Sequence, residues 1–419
     1  MNKFEKLIYD LVKSNPSIKT FLRNSYQNFF DFFPSENYKT SYPIINKKGY
    51  FYGFHDHTPF SSNEKYLLAQ KAPEGLFMPN TDNSLKIGFF SGKNFSKFNL
   101  CTSTRTWNWH MGCKLQWIGN SNTFIYNGLY KNEGVSKTFN IETNKEEIID
   151  CQLSSMSNDG KYFVGYDFFS LEKYMPGYGY RRKNTNYSLN NESMEIYLYD
   201  LKNNTKKIIC SINDLKDLNY DKTMNDAYHF ITHGLFSPCS KKFCFLHRWI
   251  VDKSDVRQRK SRLVICDIKG NIISILPTIG MFSHFCWRNK NQLVGYCKTN
   301  QFQTAYHLFT LDNDSKCKKV EKFTNLLGDG HPNFNKNGNL MTTDSYPNAN
   351  RMQSLYVHDF DKNKTSLIGK FYMPKKFQSK TIKDHWCVDL HPRLNKSGTK
   401  VCFDNAFSGV RSLAIIDLK

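Results

Sequence analysis

One pattern recurs along this chain and limits what it can become. An aromatic or apolar residue is followed by a short polar turn and then by a β-rich run. It reads PFSSNEKYLLA at Phe60, QWIGNSNTFIY at Trp117, SMSNDGKYFVGY at Met156 and LFSPCSKKFCFL at Phe236. It continues as CWRNKNQLVGY at Trp287, NFNKNGNLMTTD at Phe334 and RLNKSGTKVCFD at Leu394. The seven units are spaced by about 56 residues on average. A four-stranded propeller blade takes roughly 40–50 residues, so the spacing predicts an all-β, seven-bladed β-propeller over residues 44–419. The gap of 80 residues between Met156 and Phe236 places an insertion in the third blade, around residues 174–193. The last unit ends one strand short at RSLAIIDLK, and the strand-like run from Tyr42 to Gly53 supplies the missing one. Such a closure removes the free sheet edges.

Residues 1–43 form a different unit, a helical extension. Phe4, Leu7, Ile8, Leu11 and Val12 keep helical spacing, Asn15-Pro16 restarts the helix, and Ile18 to Phe33 continue it with lysines alongside. Residues 1–34 read as a basic amphipathic segment for an anionic membrane surface, against a plain helix packed on the domain's side. No run nears the ~20 apolar residues that span a bilayer, and no apolar secretion segment opens the chain. The expected location is cytoplasmic, with peripheral contact at the inner membrane. The 12 cysteines contain no C-x-x-C pair, and Cys244, Cys266 and Cys402 sit inside strand-like runs as small buried residues.

The histidines share the repeat's phase. His57, His233, His284, His331 and His391 each stand three residues before the anchor of their unit, where the second unit has Lys114 and the third Leu153. Rotationally equivalent blades turn equal phase into a ring around the axis. A histidine set merely tolerated at strand starts would not hold one phase five times. Converging imidazoles make a metal or acid–base site. Asp56, Asp329, Asp384, His385 and Asp389 are close enough in sequence to act as ligands or to orient them. His229, His307 and His358 fall off the phase and read as structural. TRTWNWHMGCKLQW adds Arg105, Asn108, His110 and Lys114, and the insertion EKYMPGYGYRRK adds Tyr174, Tyr178, Tyr180, Arg181 and Arg182. His247-Arg248 and Asp344-Ser345-Tyr346 are weaker candidates. Net charge is +21, from 58 basic and 37 acidic residues, which suits a polyanionic partner. Nucleic-acid modules are absent and the bases are spread rather than striped. No dinucleotide, P-loop or nucleophile-elbow motif occurs.

The motifs FHDHTPFS, TWNWHMGCKLQW, HGLFSP, SHFCW, DGHPNF and DLHPRLNKSG together resemble the seven-bladed propeller lyases of acidic polysaccharides, the oligogalacturonate and ulvan lyases. The resemblance covers most of residues 50–415. It implies a divalent metal, manganese or zinc, with His331 and His391 matching histidines of two consecutive blades. Where the oligogalacturonate lyases carry a glutamine and a further histidine before the final HP, this chain has DHWCVD, so Asp389 and His385 are the replacements on offer. It also implies an enzyme acting on a uronate-containing oligo- or polysaccharide by C5 proton abstraction. The metal falls to His233, His284, His331 and His391, with His57 and His110 beside them. Metal or arginine, Arg181 or Arg393, neutralises the carboxylate, a ring histidine or His110 is the base, and Tyr174 the acid. A uronate C5-epimerase shares the first step. A non-catalytic propeller that binds a glycan or a protein is the reading of another class.

Overall fold

The computed structural model describes residues 16–31, 36–189, 193–324, 326, 328–379 and 385–419. Seven antiparallel sheets follow one another along the chain, six of four strands and one of five. Blade 1 runs from Tyr50 to Thr104, blade 2 from Gln116 to Ile149, and blade 3 from Ser155 to Ser211. Blade 4 covers Tyr228 to Ile275, blade 5 Thr278 to Lys322, and blade 6 Asn333 to Tyr372. Blade 7 takes Arg393–Leu394, Lys400–Asn405 and Ser412–Asp417 from the end of the chain, and Ile44–Lys48 from its beginning. Ile44 pairs with Ile416 and Lys48 with Ser412, so the N-terminal strand closes the ring as its sequence pattern predicts.

The repeated turn has a local cause. In blade 1 the Ser61 hydroxyl accepts from the Tyr66 amide at 3.0 Å, and in blade 3 Ser157 accepts from Tyr162 at 2.9 Å. Asn335 and Asn395 do the same for Leu340 and Lys400 in blades 6 and 7. A short polar side chain at the end of the innermost strand thus ties down the amide five residues on, and the chain reverses. Packing then follows the period of two. Along Lys242–Ile250 every residue is buried. Phe243 and Phe245 join the core shared with blade 3, while Cys244 and Leu246 join the one shared with blade 5.

The insertion in blade 3 begins with a short helix, Phe168–Tyr174, capped by Asp167. A second helix, Ile212–Asp217, follows the outermost strand. At the N-terminus, helix Pro16–Phe30 lies against blade 6, where Gln27 donates to the Asn348 carbonyl at 2.9 Å and Asp31 pairs with Arg351 at 2.6 Å. Tyr38–Lys39 then adds a fifth strand to the outer edge of that blade. The amphipathic run Phe4 to Val12 and Asp384 lie outside the described residues. No helix among the described residues is long and apolar enough to cross a membrane.

Candidate active site

The innermost strand of blade 1 is interrupted. Tyr50–Phe51 pairs with Gln70 and Lys71, and the strand resumes only at the Phe60–Leu67 bridge. The residues between leave the sheet and cross the axis. Gly53 makes this possible: its φ is +108°, and a Cβ there would meet the Met111 carbonyl carbon at 2.8 Å. The Gly53 and Phe54 carbonyls are gripped from below by Arg393. Phe54 thereby sits among four of the histidines expected on the ring. Its ring centroid is 5.1 Å from His233, 6.3 Å from His284, 6.4 Å from His331 and 5.1 Å from His391. Neighbouring members touch, His284 to His331 at 4.3 Å and His331 to His391 at 4.3 Å.

His57 does not join them. Its Nε2 meets the Ser155 hydroxyl of blade 3 at 3.1 Å. His55 takes its place, with ring centroids 5.3 Å from His331 and 5.7 Å from His284. The repeat's phase marks His57, but the excursion across the axis carries the residue two positions earlier. The clue in the sequence was the glycine in FYGFHDH, ahead of two histidines rather than one.

Each cluster imidazole is anchored at Nδ1. His55 donates to the Pro332 carbonyl at 2.7 Å, His391 to the Gly53 carbonyl at 2.9 Å and His331 to Asp344 at 2.8 Å. His284 donates to Asp329 at 3.1 Å, and Ser283 donates to the same carboxylate at 2.6 Å. This leaves the Nε2 atoms for other work, and those of His55 and His391 are buried without a hydrogen bond. Burial pushes the pKa of His55, His233, His331 and His391 well down, and neighbouring cations and imidazoles push the same way. They are neutral at neutral pH and fit to ligate. Burial raises the Asp344 carboxyl to about 7 against the pull of two backbone amides. Asp329 is held below the usual carboxylate range: burial works against this, and its pairing with His284 and the hydrogen bonds from His284 and Ser283 outweigh it. His233 and His391 adopt left-handed backbone, φ +57° and +42°, as does Lys114 at the same phase of blade 2. Such strain in residues with side chains gathers at functional sites.

A second layer closes over His391. His110 stacks on Tyr178 with centroids 4.8 Å apart and planes 11° from parallel, and touches His385 at 4.1 Å. Donor atoms of His110, Asp389 and His391 lie within 4.8 Å of one another, as do those of His110, His385 and Cys387. Of the expected ligands, His391 falls in a compact donor group. His233, His284 and His331 converge with it but belong to neither compact donor group, whereas His110 belongs to both.

Three other residues expected in the site have partners elsewhere. Tyr174 is 1% exposed, and its ring stacks on Phe230 at 5.6 Å inside the core. The insertion instead delivers Tyr178: Gly177 takes φ +87° and rests against His385, where any Cβ would collide with that side chain. Arg181 turns away to pair with Glu172 at 3.0 Å. Arg393 is 0% exposed, and its guanidinium is taken up by Asp404 and the Gly53 and Phe54 carbonyls. Two other arginines act on groups of the site, Arg248 on His233 and Tyr178 and Arg259 on Tyr178 and His385, while Lys114 is paired with Asp56. The Arg248 Nε is buried without a partner, and its Nη1 donates only to the Met175 sulfur at 3.6 Å. Burial and the neighbouring Arg259 charge lower its pKa to about 9. Arg248 was legible only as part of a His-Arg pair, and nothing in the sequence singled out Arg259.

Fold and site together define a seven-bladed propeller with histidines, carboxylates and unpaired arginines gathered at one mouth of its axis. Among solved structures, an oligogalacturonate lyase in complex with manganese superposes with a TM-score of 0.64 at 13% identity, over 92% of this chain and 95% of that one. The oligogalacturonate lyase of Vibrio parahaemolyticus gives 0.60 at 16% identity, over 92% and 98%. At these identities the likeness establishes the fold. No family model matches the sequence, and no curated protein is found as its relative.

Proposed function

We propose that this protein is a metal-assisted lyase that cleaves a uronate-containing acidic oligo- or polysaccharide by β-elimination. The observation that carries the reading is Arg248, a buried guanidinium with an unpaired Nε beside an anchored His284–Asp329 pair and the Tyr178 phenol. A buried cation lacking an acid partner is costly unless an anionic ligand completes it. A uronate carboxylate matches that guanidinium in charge and in fork geometry.

His110, Asp389 and His391 fit a divalent ion, manganese or zinc. Their donors lie within 4.8 Å of one another, and Nδ1 of His391 is fixed on a carbonyl so that Nε2 is free. A bound ion would supply a Lewis acid for the carboxylate, easing loss of the C5 proton. Arg248, with Arg259 nearby, holds the same carboxylate. His284 takes the C5 proton on Nε2 while Asp329 steadies Nδ1, stabilising the imidazolium that forms. The electron pair of the broken C5–H bond becomes the C4–C5 double bond, and the C4–O4 bond breaks. Tyr178 gives its proton to the departing O4. Burial raises the pKa of this phenol, so it holds a proton until one is needed.

The test is ultraviolet absorbance on a panel of uronate oligosaccharides, with bound metal measured in parallel. An absorbing unsaturated product, lost in His284→Ala while metal is retained, is the expected result. Inversion at C5 without absorbance would make the protein an epimerase. Binding without any chemistry would make it a scaffold, and either result overturns the lyase reading.

A further inference from the structure

The histidine cluster occupies one mouth of the axis. The seven repeat turns occupy the other, because each innermost strand leads from the first to the second. Neighbouring turns touch around the ring except between blades 4 and 5. Ser62 donates to the Asn120 carbonyl at 3.5 Å, and Gly119 packs on Gly160. The Asp159 amide donates to Ser240 at 3.0 Å, and Arg288 to the Gly338 carbonyl at 2.9 Å. The Lys336 amide donates to the Lys396 carbonyl at 3.2 Å, and the Ser397 amide to Glu64 at 2.9 Å, which returns to blade 1. Between blades 4 and 5 the Lys242 and Lys290 charges repel.

The ring is strongly basic. Its turns and the strand starts that follow them contribute Lys65, Lys161, Lys241, Lys242, Arg288, Lys290, Lys336, Lys396 and Lys400, and only blade 2 supplies none. The acids within the turns are Glu64 and Asp159. Glu64 is taken up by Asn395 and Ser397, and Asp159 by Ser157 and its own turn. Among the described residues, Lys400 alone of these bases is in an ion pair, with Asp417. Lys65, Lys161, Lys241, Lys290 and Lys336 are exposed. Burial and the facing Lys336 charge lower the Lys396 pKa. The sequence scatters these residues over more than 300 positions, which is why the bases read as spread, and closure of the propeller gathers them into one circle.

We infer that this lysine ring is a docking surface for an acidic polysaccharide, separate from the histidine mouth. Spaced ammonium groups suit spaced carboxylates. The turn tips offer Ser, Asn and Gly beside the bases and no aromatic ring on which a nucleobase could stack, unlike a single-strand nucleic-acid platform. The inference does not depend on the chemistry of the histidine site. A polymer held here raises the local concentration of chain ends and internal segments around the molecule.

The experiment uses the full-length protein and three probes: polygalacturonate, dextran as its uncharged counterpart, and single-stranded DNA. One variant carries Lys65→Glu, Lys161→Glu, Lys290→Glu and Lys336→Glu. A control of equal charge change carries Lys97→Glu, Lys206→Glu, Lys318→Glu and Lys364→Glu, all exposed and on outer strands. Circular dichroism checks that both are folded. The expected result is salt-sensitive binding of polygalacturonate, no binding of dextran, and at least a tenfold loss in the ring variant only. Equal loss in both variants would reduce the effect to net charge and overturn the inference. So would absent polygalacturonate binding, or tighter binding of DNA than of polygalacturonate through the same lysines. Turnover of a short oligouronate on the ring variant separates this outcome from failure of the lyase reading.

Discussion

Tyr174 and Tyr178 lie four residues apart in one insertion, and only their surroundings separate an acid from a core ring. Tyr174 ends a helix and turns inward onto Phe230, whereas Tyr178 follows a left-handed glycine and stacks on His110. Tyr178→Phe keeps the stacking and removes the proton. The expected loss is about 10²–10⁴-fold in turnover, the usual weight of general acid catalysis. Tyr174→Phe is expected to leave turnover within a few-fold, because its ring is stacked on Phe230 in the core and the exchange keeps that packing. Parallel assays of the two variants on one oligouronate decide the assignment, and equal losses would return it to an indirect effect of the insertion. The sequence made both tyrosines visible as candidates but could not rank them. The ranking depends on Gly177 and on where His385, more than 200 residues later, comes to rest. Arg393 shows the same limit: its place beside the final HP motif suggested substrate contact, while the fold uses it to hold the Gly53–Phe54 excursion.

At the scale of elements, the repeat gave the blades because each unit carries its own turn chemistry. What it could not give was the excursion at blade 1, since a break in one strand leaves the spacing of the units unchanged. Phe54→Ala removes the ring on which four histidines pack, and the expected cost is about 3–5 kcal/mol from the lost side chain and cavity. Urea unfolding measures it, and a cost below about 1 kcal/mol would mean that the histidines hold their places without Phe54. The N-terminal helix is a second case. Its polar side, Gln27 and Asp31, engages blade 6, and Phe21 and Leu22 lie on the exposed side, Phe21 at 69%. Full-length protein is expected to float with anionic liposomes at low salt and to release as salt is raised. Phe21→Ser with Leu22→Ser is expected to abolish flotation. Unchanged flotation in that variant would place the contact elsewhere.

For the whole molecule, His229, read from the sequence as structural, and His247, read as a weaker site candidate, set the response to acid. His229 and His247 form a closed relay remote from the cluster. The Arg262 Nε donates to His247 Nδ1 at 3.2 Å, His247 Nε2 to His229 Nδ1 at 2.9 Å, and His229 Nε2 to the Met224 carbonyl at 3.0 Å. Every ring nitrogen is used, and the relay requires both rings neutral. Burial lowers the pKa of each, with the nearby Lys216 and Arg262 charges acting the same way. The sign follows directly. Below the ordinary histidine value of ~6.5 the unfolded chain binds protons that the folded chain refuses. Stability is therefore complete above about pH 6.5 and falls as the pH drops toward the folded values. Each such group contributes a slope of up to about 1.4 kcal/mol per pH unit. The histidines of the cluster add to it, while Asp344, raised to about 7, works in the opposite direction between its unfolded value and neutrality. Glu172, also raised by burial, acts the same way as Asp344, and with many histidines against these two carboxyls acid destabilisation prevails. Urea midpoints between pH 7.5 and 5.5, measured with a chelator so that no ion holds the cluster neutral, are expected to fall steadily. His229→Gln is expected to shallow that fall. A midpoint that stays level from pH 7.5 to 5.5 would contradict the neutral relay and, with it, the protonation states on which the cluster's chemistry rests.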